Sequence, residues 1–233
     1  MLVLNELEWA ATDPRRSSTR CRNAVRHPAI SRTEHQLGIM SEDTKLEDAR
    51  NEVLRKIGRN VLNLQKMEGM LKLLNTHANI SGNIDDLESV SRKQSESVSR
   101  HTMGRLVQAF VQSVYLHQTD LNIESESDSK PSISFSFTIE GDADLATERE
   151  KALLSIVEER NRLIHTDLLQ FRPNSLRCCM DMGERLDEQN KRILPEYEML
   201  QSVLQTFREG RAKLAEYIQS DAFAEELATP KNG

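Results

Sequence analysis

A chain of 233 residues has room for one or two domains. With 37% hydrophobic residues but only 4% aromatics, its core must be built from Leu, Ile, Val and Met, the side chains of packed helices more than of sandwiches or barrels. The net charge of -6 and a pI near 5.6 exclude the overall basic character of a non-specific duplex-DNA binder, so no duplex-DNA preference is expected, while one small phosphate site stays compatible with them.

No apolar run approaches the roughly 20 residues of a membrane-spanning helix. Met1-Leu2-Val3-Leu4 is interrupted at once by Asn5, Glu6 and Glu8, which is not the apolar core of a signal peptide. A cytoplasmic protein without membrane contact is expected. Of the three cysteines, the vicinal pair Cys178-Cys179 cannot bond to each other easily, because neighbouring helical side chains diverge by about 100°. No CxxC or Cys/His cluster supports zinc, and neither a metal nor another cofactor is expected.

Residues 1–39 stand apart in composition. They hold six Arg, no Lys, Pro14 and Pro28, with six basic against four acidic side chains, leaving 25 against 33 in the remainder. They read as a disordered or non-native extension ahead of Met40, and residues 40–227 as a single helical domain. Thr44-Lys45-Leu46-Glu47 has the form of a capping box that opens a helix to about Asn75. Its apolar stripe is Leu46, Ala49, Val53, Ile57, Val61, Leu64, Met67, Leu71 and Leu74, in steps of three and four. Asn79-Ile80-Ser81-Gly82-Asn83 is a loop by composition. Residues 84–116 are a second helical stretch, in which Ser91–Ser97 is either a solvated helix surface or a break.

Ser132–Ile139 alternates polar and apolar residues without a slip, the pattern of a strand. With a partner near Val114–Ile123 it would make a β-hairpin insertion spanning about 114–139. Thr147-Glu148-Arg149-Glu150 is another capping box, for a helix that buries Leu153, Ile156 or Val157, Ile164 and Leu168 and stops before Pro173. A last helical region runs from about Ser175 to Ser220, with Pro195 expected to kink or split it near Arg192. Residues 228–233 are a frayed tail. The fold expected is mainly all-α, a bundle of four to five long helices with the β-hairpin insertion. Two helices of about 45–70 Å would overhang a compact monomer, which favours a homodimer.

One stretch carries candidate chemistry: Glu158-Glu159-Arg160-Asn161-Arg162-Leu163-Ile164-His165. On a regular helix Glu158, Asn161, Arg162 and His165 form one polar stripe, and Arg160 lies roughly 140° from His165. His165 could move a proton near neutral pH, a guanidinium could hold a phosphate, and Asn161 could orient either partner. The alternative is a solvated helix face with a Glu158–Arg162 ion pair.

Arg160-Asn161-Arg162-Leu163-Ile164-His165 resembles the Arg-x4–6-His motif of HEPN domains, including the polar residue that commonly follows the arginine. The resemblance covers this helix. It implies an all-helical fold, dimers in which two motifs line one cleft, and metal-independent endoribonuclease activity or RNA binding, with Arg160 and His165 catalytic and Asn161 supporting. Thr166 and Asp167 stand where one branch of toxins carries a tyrosine, so that branch is not implied. Arg22–His27 matches the same letters, but in an irregular segment followed by Pro28. A non-catalytic helical dimerisation or adaptor protein, bound to a protein partner, is the competing reading.

Overall fold

The computed structural model describes residues 42–83, 85–116 and 132–228. The expected extension 1–39, the 117–131 linker and the chain after Ala228 lie outside the described residues. The architecture is mainly α, with one two-stranded antiparallel element.

The first helix, α1 (Glu42–His77), begins two residues before Thr44, so the expected capping box lies inside it. Glu42 and Asp43 place negative charge against its N-terminal dipole instead. Its stripe packs as the spacing dictates. Val53, Leu64, Met67, Leu71 and Leu74 are buried, and Leu46, Ala49, Ile57 and Val61 pack against the same core.

After β1 (Asn79–Asn83), the helix α2 (Leu87–Ser99) runs straight through the Ser91–Ser97 stretch, which is therefore helix surface and not a break. Gln94 holds it down by donating to the Asn75 carbonyl (3.0 Å). Thr102 caps α3 (Met103–Phe110), which continues as a wide π-turn over Val111–Tyr115. The second strand is β2 (Ser132–Ser136).

The strand partner is a correction. β2 pairs with β1, from Asn79 opposite Ser136 to Asn83 opposite Ser132, and not with Val114–Ile123. Val114, Tyr115 and Leu116 belong to the end of the α3 helical segment, and 117–123 lie outside the described residues. Val114 still meets the extended chain past β2, where its carbonyl accepts from the Ile139 N–H (2.8 Å). The Asn-Ile-Ser-Gly-Asn segment carries too few large apolar residues to read as a strand, and only the long-range ladder makes it one.

The helix α4 (Ala143–Arg162) is capped by Asp142, whose side chain accepts from the Leu145 N–H (2.8 Å). Thr147, expected as the cap, sits one turn inside and donates to the Ala143 carbonyl (2.8 Å). A second π-turn, Leu163–Asp167, and a single turn, α5 (Leu168–Gln170), complete this segment. Ser175 caps α6 (Leu176–Ile218), and α7 (Asp221–Ala228) closes the described chain.

The expected split at Pro195 does not occur. α6 spans 43 residues across it, with Ile193 and Leu200 fully buried on either side. A proline inside a helix costs about 3 kcal/mol, and those flanking anchors offset it.

The framework is the pairing of α1 with α6. Lys56 meets Asp187, Asn60 meets Gln189 and Asn63 meets Asn190, so residue numbers rise together and the two helices run parallel. The near-heptad stripes that suggested a dimer seam are largely consumed in this intramolecular core. At its far end Phe207 of α6 stacks edge-on against Phe137 and lies tilted beside Phe135, locking the ribbon to the bundle. No helix among the described residues is long and apolar enough to cross a membrane.

Candidate functional site

The candidate stretch straddles the junction between α4 and its π-turn. Arg160, Asn161 and Arg162 end the α-helix, and His165 is the middle residue of the wide turn. The buried face enters that turn at regular helical spacing, through Ile156, Glu159 and Leu163. Leu163 is fully buried where Ile164 was expected, and Ile164 is only half-buried. A π-turn absorbs one extra residue, so the angle between Arg160 and His165 falls below the roughly 140° of an uninterrupted helix.

Arg160 is half-buried, and its Nη1 donates to the Asn161 carboxamide oxygen (3.2 Å). Asn161 thus holds the guanidinium on the outer surface. His165 is exposed, and among the described residues no hydrogen bond or ion pair engages it. Its imidazole is open to solvent and to a ligand.

The remaining charged residues of the stretch do structural work. Glu158 is exposed, whereas Glu159 is 6% exposed and accepts from three side chains. Arg162, from one turn later, and Arg192 of α6 (2.8 Å) both reach its Oε1. Gln189 Nε2 donates to its Oε2 (3.3 Å) and to its backbone carbonyl (3.1 Å). Gln189 in turn accepts from Asn60 Nδ2 (2.9 Å), which also donates to the Leu186 carbonyl (2.8 Å). A buried polar chain therefore runs from α1 through α6 to α4, and Arg162 is bound into its end. Arg162 pairs with Glu159, and no Glu158–Arg162 pair occurs among the described residues.

Sequence reasoning missed Asn60, Glu159 and Gln189. The signal was there: each is a polar residue on an apolar stripe, Asn60 between Ile57 and Leu64, Glu159 between Ile156 and Leu163, Gln189 between Leu186 and Ile193. Long polar side chains are seldom fully buried unless partnered, so such a position announces a polar contact without naming the partner.

A groove of about 510 Å³ lies between α4 and α6, lined by Glu159, Arg162, Asp167, Arg185, Gln189 and Arg192 among others. Its three arginines face five carboxylates, those of Glu159, Asp167, Asp181, Glu184 and Glu188, so its charge does not suit a phosphate. Arg160, Asn161 and His165 do not line it.

Elsewhere the titratable groups follow their surroundings. The Lys56 ammonium, then Arg59, holds the Asp187 carboxyl below its usual range. Burial, then the nearby Arg211 charge, lowers the His77 imidazole, and burial with Arg105 lowers His101. Cys178 and Cys179 are free thiols, and burial pushes the Cys179 thiol up. Among the described residues no three His, Cys, Asp or Glu side chains are grouped as a metal site. Comparison with known protein families, with curated proteins and with solved structures gives no match for this chain.

Proposed function

We propose that the protein is a HEPN-like helical protein that acts on RNA in the cytoplasm, cleaving the phosphodiester chain without a metal, with Arg160, Asn161 and His165 as its working residues. The observation that supports the reading is a guanidinium held by Asn161 with an exposed imidazole five residues later, on the π-turn. In the reaction, the His165 imidazole takes the proton of a ribose 2′-hydroxyl. The 2′ oxygen attacks the adjacent phosphorus, the P–O5′ bond breaks, and the 5′ oxygen leaves with a proton from a second acid. The products are a 2′,3′-cyclic phosphate and a 5′-hydroxyl. Arg160 offers charge to the phosphoryl oxygens as negative charge builds on them. A homodimer with two such motifs at one cleft supplies the second acid from the partner subunit.

The test is incubation of the full chain with bulk RNA in EDTA, beside His165→Ala and Arg160→Ala. Cleavage by the wild type, lost in both variants, with a cyclic phosphate at the new 3′ end, is the expected result. Equal cleavage by wild type and His165→Ala, or no cleavage by any of them, rejects the reading.

A second reading, a non-catalytic dimerisation or adaptor protein, draws on the end of α6. The buried face of that helix ends at Phe207, while Leu214, Tyr217 and Ile218 remain 37%, 44% and 43% exposed. Light scattering on the wild type and on Leu214→Glu separates the two. A dimer lost in Leu214→Glu, in a protein inert toward RNA, supports the adaptor.

A further inference from the structure

We infer that Arg185 and Gln189 are positioning residues for the candidate site: one turn apart on α6, they staple the chain one turn ahead of the wide turn that carries His165 and at that turn's last residue. The functional half of this inference rests on the RNA-cleavage reading. The structural half stands without it.

Gln189 grips Glu159, which precedes the turn, through both its backbone carbonyl (3.1 Å) and its carboxylate (3.3 Å). Arg185 Nη1 reaches Asp167 Oδ1, the last residue of the turn, at 3.4 Å. Between the two staples stand Arg160, Asn161 and His165, and the fully buried Leu163 pins the middle of the segment to the core. Chain direction agrees with this. The earlier residue of α4 meets the later residue of α6, as two antiparallel helices require.

The geometry makes staples and turn depend on each other. On an uninterrupted α-helix, Glu159 and Asp167 are eight residues apart and point about 80° away from one another. They could not both face α6. A π-turn absorbs one residue, which reduces the pair to the angular spacing of seven, within about 20°. Both carboxylates then face the same row of α6, the row that presents Arg185 and Gln189. The same absorbed residue swings His165 back toward Arg160. Together with Arg192 on Glu159 and the buried Leu163, the staples oppose relaxation of the wide turn to regular α-helix, which would carry His165 away from the guanidinium.

The experiment compares wild type, Arg185→Ala, Arg185→Lys and Gln189→Leu as full chains. Amide hydrogen exchange across Leu163–Leu168 is followed by NMR, and RNA cleavage is measured in parallel. Exchange across the turn should speed up by roughly three- to tenfold in Arg185→Ala, while the amides of Leu64–Leu74 in α1 keep their wild-type rates. The kcat for RNA should fall with KM unchanged, and Arg185→Lys should recover most of it. Gln189→Leu should do the same more strongly. If that buried change prevents folding, Arg185→Ala decides alone, because its side chain is 56% exposed. Unchanged exchange over Leu163–Leu168 in Arg185→Ala overturns the stapling. A loosened turn with full kcat reduces the staples to a structural role and overturns the positioning. A wild type that cleaves no RNA removes the functional half together with the RNA reading, and exchange then judges the stapling by itself.

Discussion

Asn60→Leu tests whether the buried polar chain holds the bundle together. Leu is close to Asn in size, so the substitution removes polar contacts and leaves little cavity. Asn60 is fully buried. It donates to Leu186 O (2.8 Å) and Gln189 Oε1 (2.9 Å) and accepts from Arg59 Nε (3.0 Å). Each such bond has a net worth of about 1 kcal/mol, and a buried acceptor stranded without a donor costs about 1–3 kcal/mol more. Gln189 is only 4% exposed, so water cannot readily replace the lost donor at its Oε1. The extra apolar surface of Leu offsets part of the loss. The expected net destabilisation is roughly 2–4 kcal/mol. Urea unfolding followed by the helical circular-dichroism band reads it directly. With a slope of about 2 kcal/mol per molar, the midpoint should fall by about 1–2 M without a change in slope. Asn60→Leu/Gln189→Leu should cost less than the sum of the single changes by at least about 1 kcal/mol, because the stranded acceptor is then gone. A midpoint shift below about 0.3 M, or strict additivity in the double variant, would refute the account of the chain as a coupled network.

Three further outcomes follow from the same contacts. Phe207→Ala should destabilise the protein by about 3–5 kcal/mol and broaden the ring resonances of Phe135 and Phe137, because its ring is their shared partner at 6.2 and 5.4 Å. His77 is held below its ordinary pKa, so its share of stability is complete above about pH 6.5 and is lost as pH falls through the lowered folded value. Thermal melts of His77→Gln should therefore show a shallower acid decline over that interval than the wild type. Asp187 is also lowered, by Lys56 and Arg59, so its pairing contributes above about pH 4 and fades below that. As the carboxylate is 43% exposed, Asp187→Asn should cost under about 1 kcal/mol at pH 7, and nothing once the pH is well below the folded value.

Much of the scaffold could be read directly from spacing. Val53, Leu64, Met67, Leu71 and Leu74 recur in helical steps and are buried together, and Ser132–Ser136 alternates and is a strand. Local rules failed where two local signals competed. Thr44–Glu47 and Thr147–Glu150 both have the letters of a capping box. Glu42 and Asp43 start the first helix earlier, and Asp142 outranks Thr147 by accepting the Leu145 N–H. At Pro195 the local cost was correctly identified, but the buried anchors Ile193 and Leu200 outweigh it, which is a tertiary effect. The candidate site was legible as a set of residue types in one helix. Its face was not, because helical steps of three and four allow either Leu163 or Ile164 inward and only packing chose Leu163, and because a π-turn has no letter pattern of its own.

The sequence by itself determined that this chain is mainly helical, which faces of its long helices are apolar, and where a guanidinium, an amide and an imidazole lie close along the chain. Those are consequences of side-chain size, polarity and a period of 3.6, and they need no knowledge of neighbours. Only the tertiary structure decided that α1 and α6 run parallel, that Asn79–Asn83 is a strand, and that Glu159 is a buried anchor and not a solvated flank. The reason is physical. A strand needs a ladder and a buried carboxylate needs partners, and here both come from residues about 30 to 57 positions away, a separation no local pattern encodes.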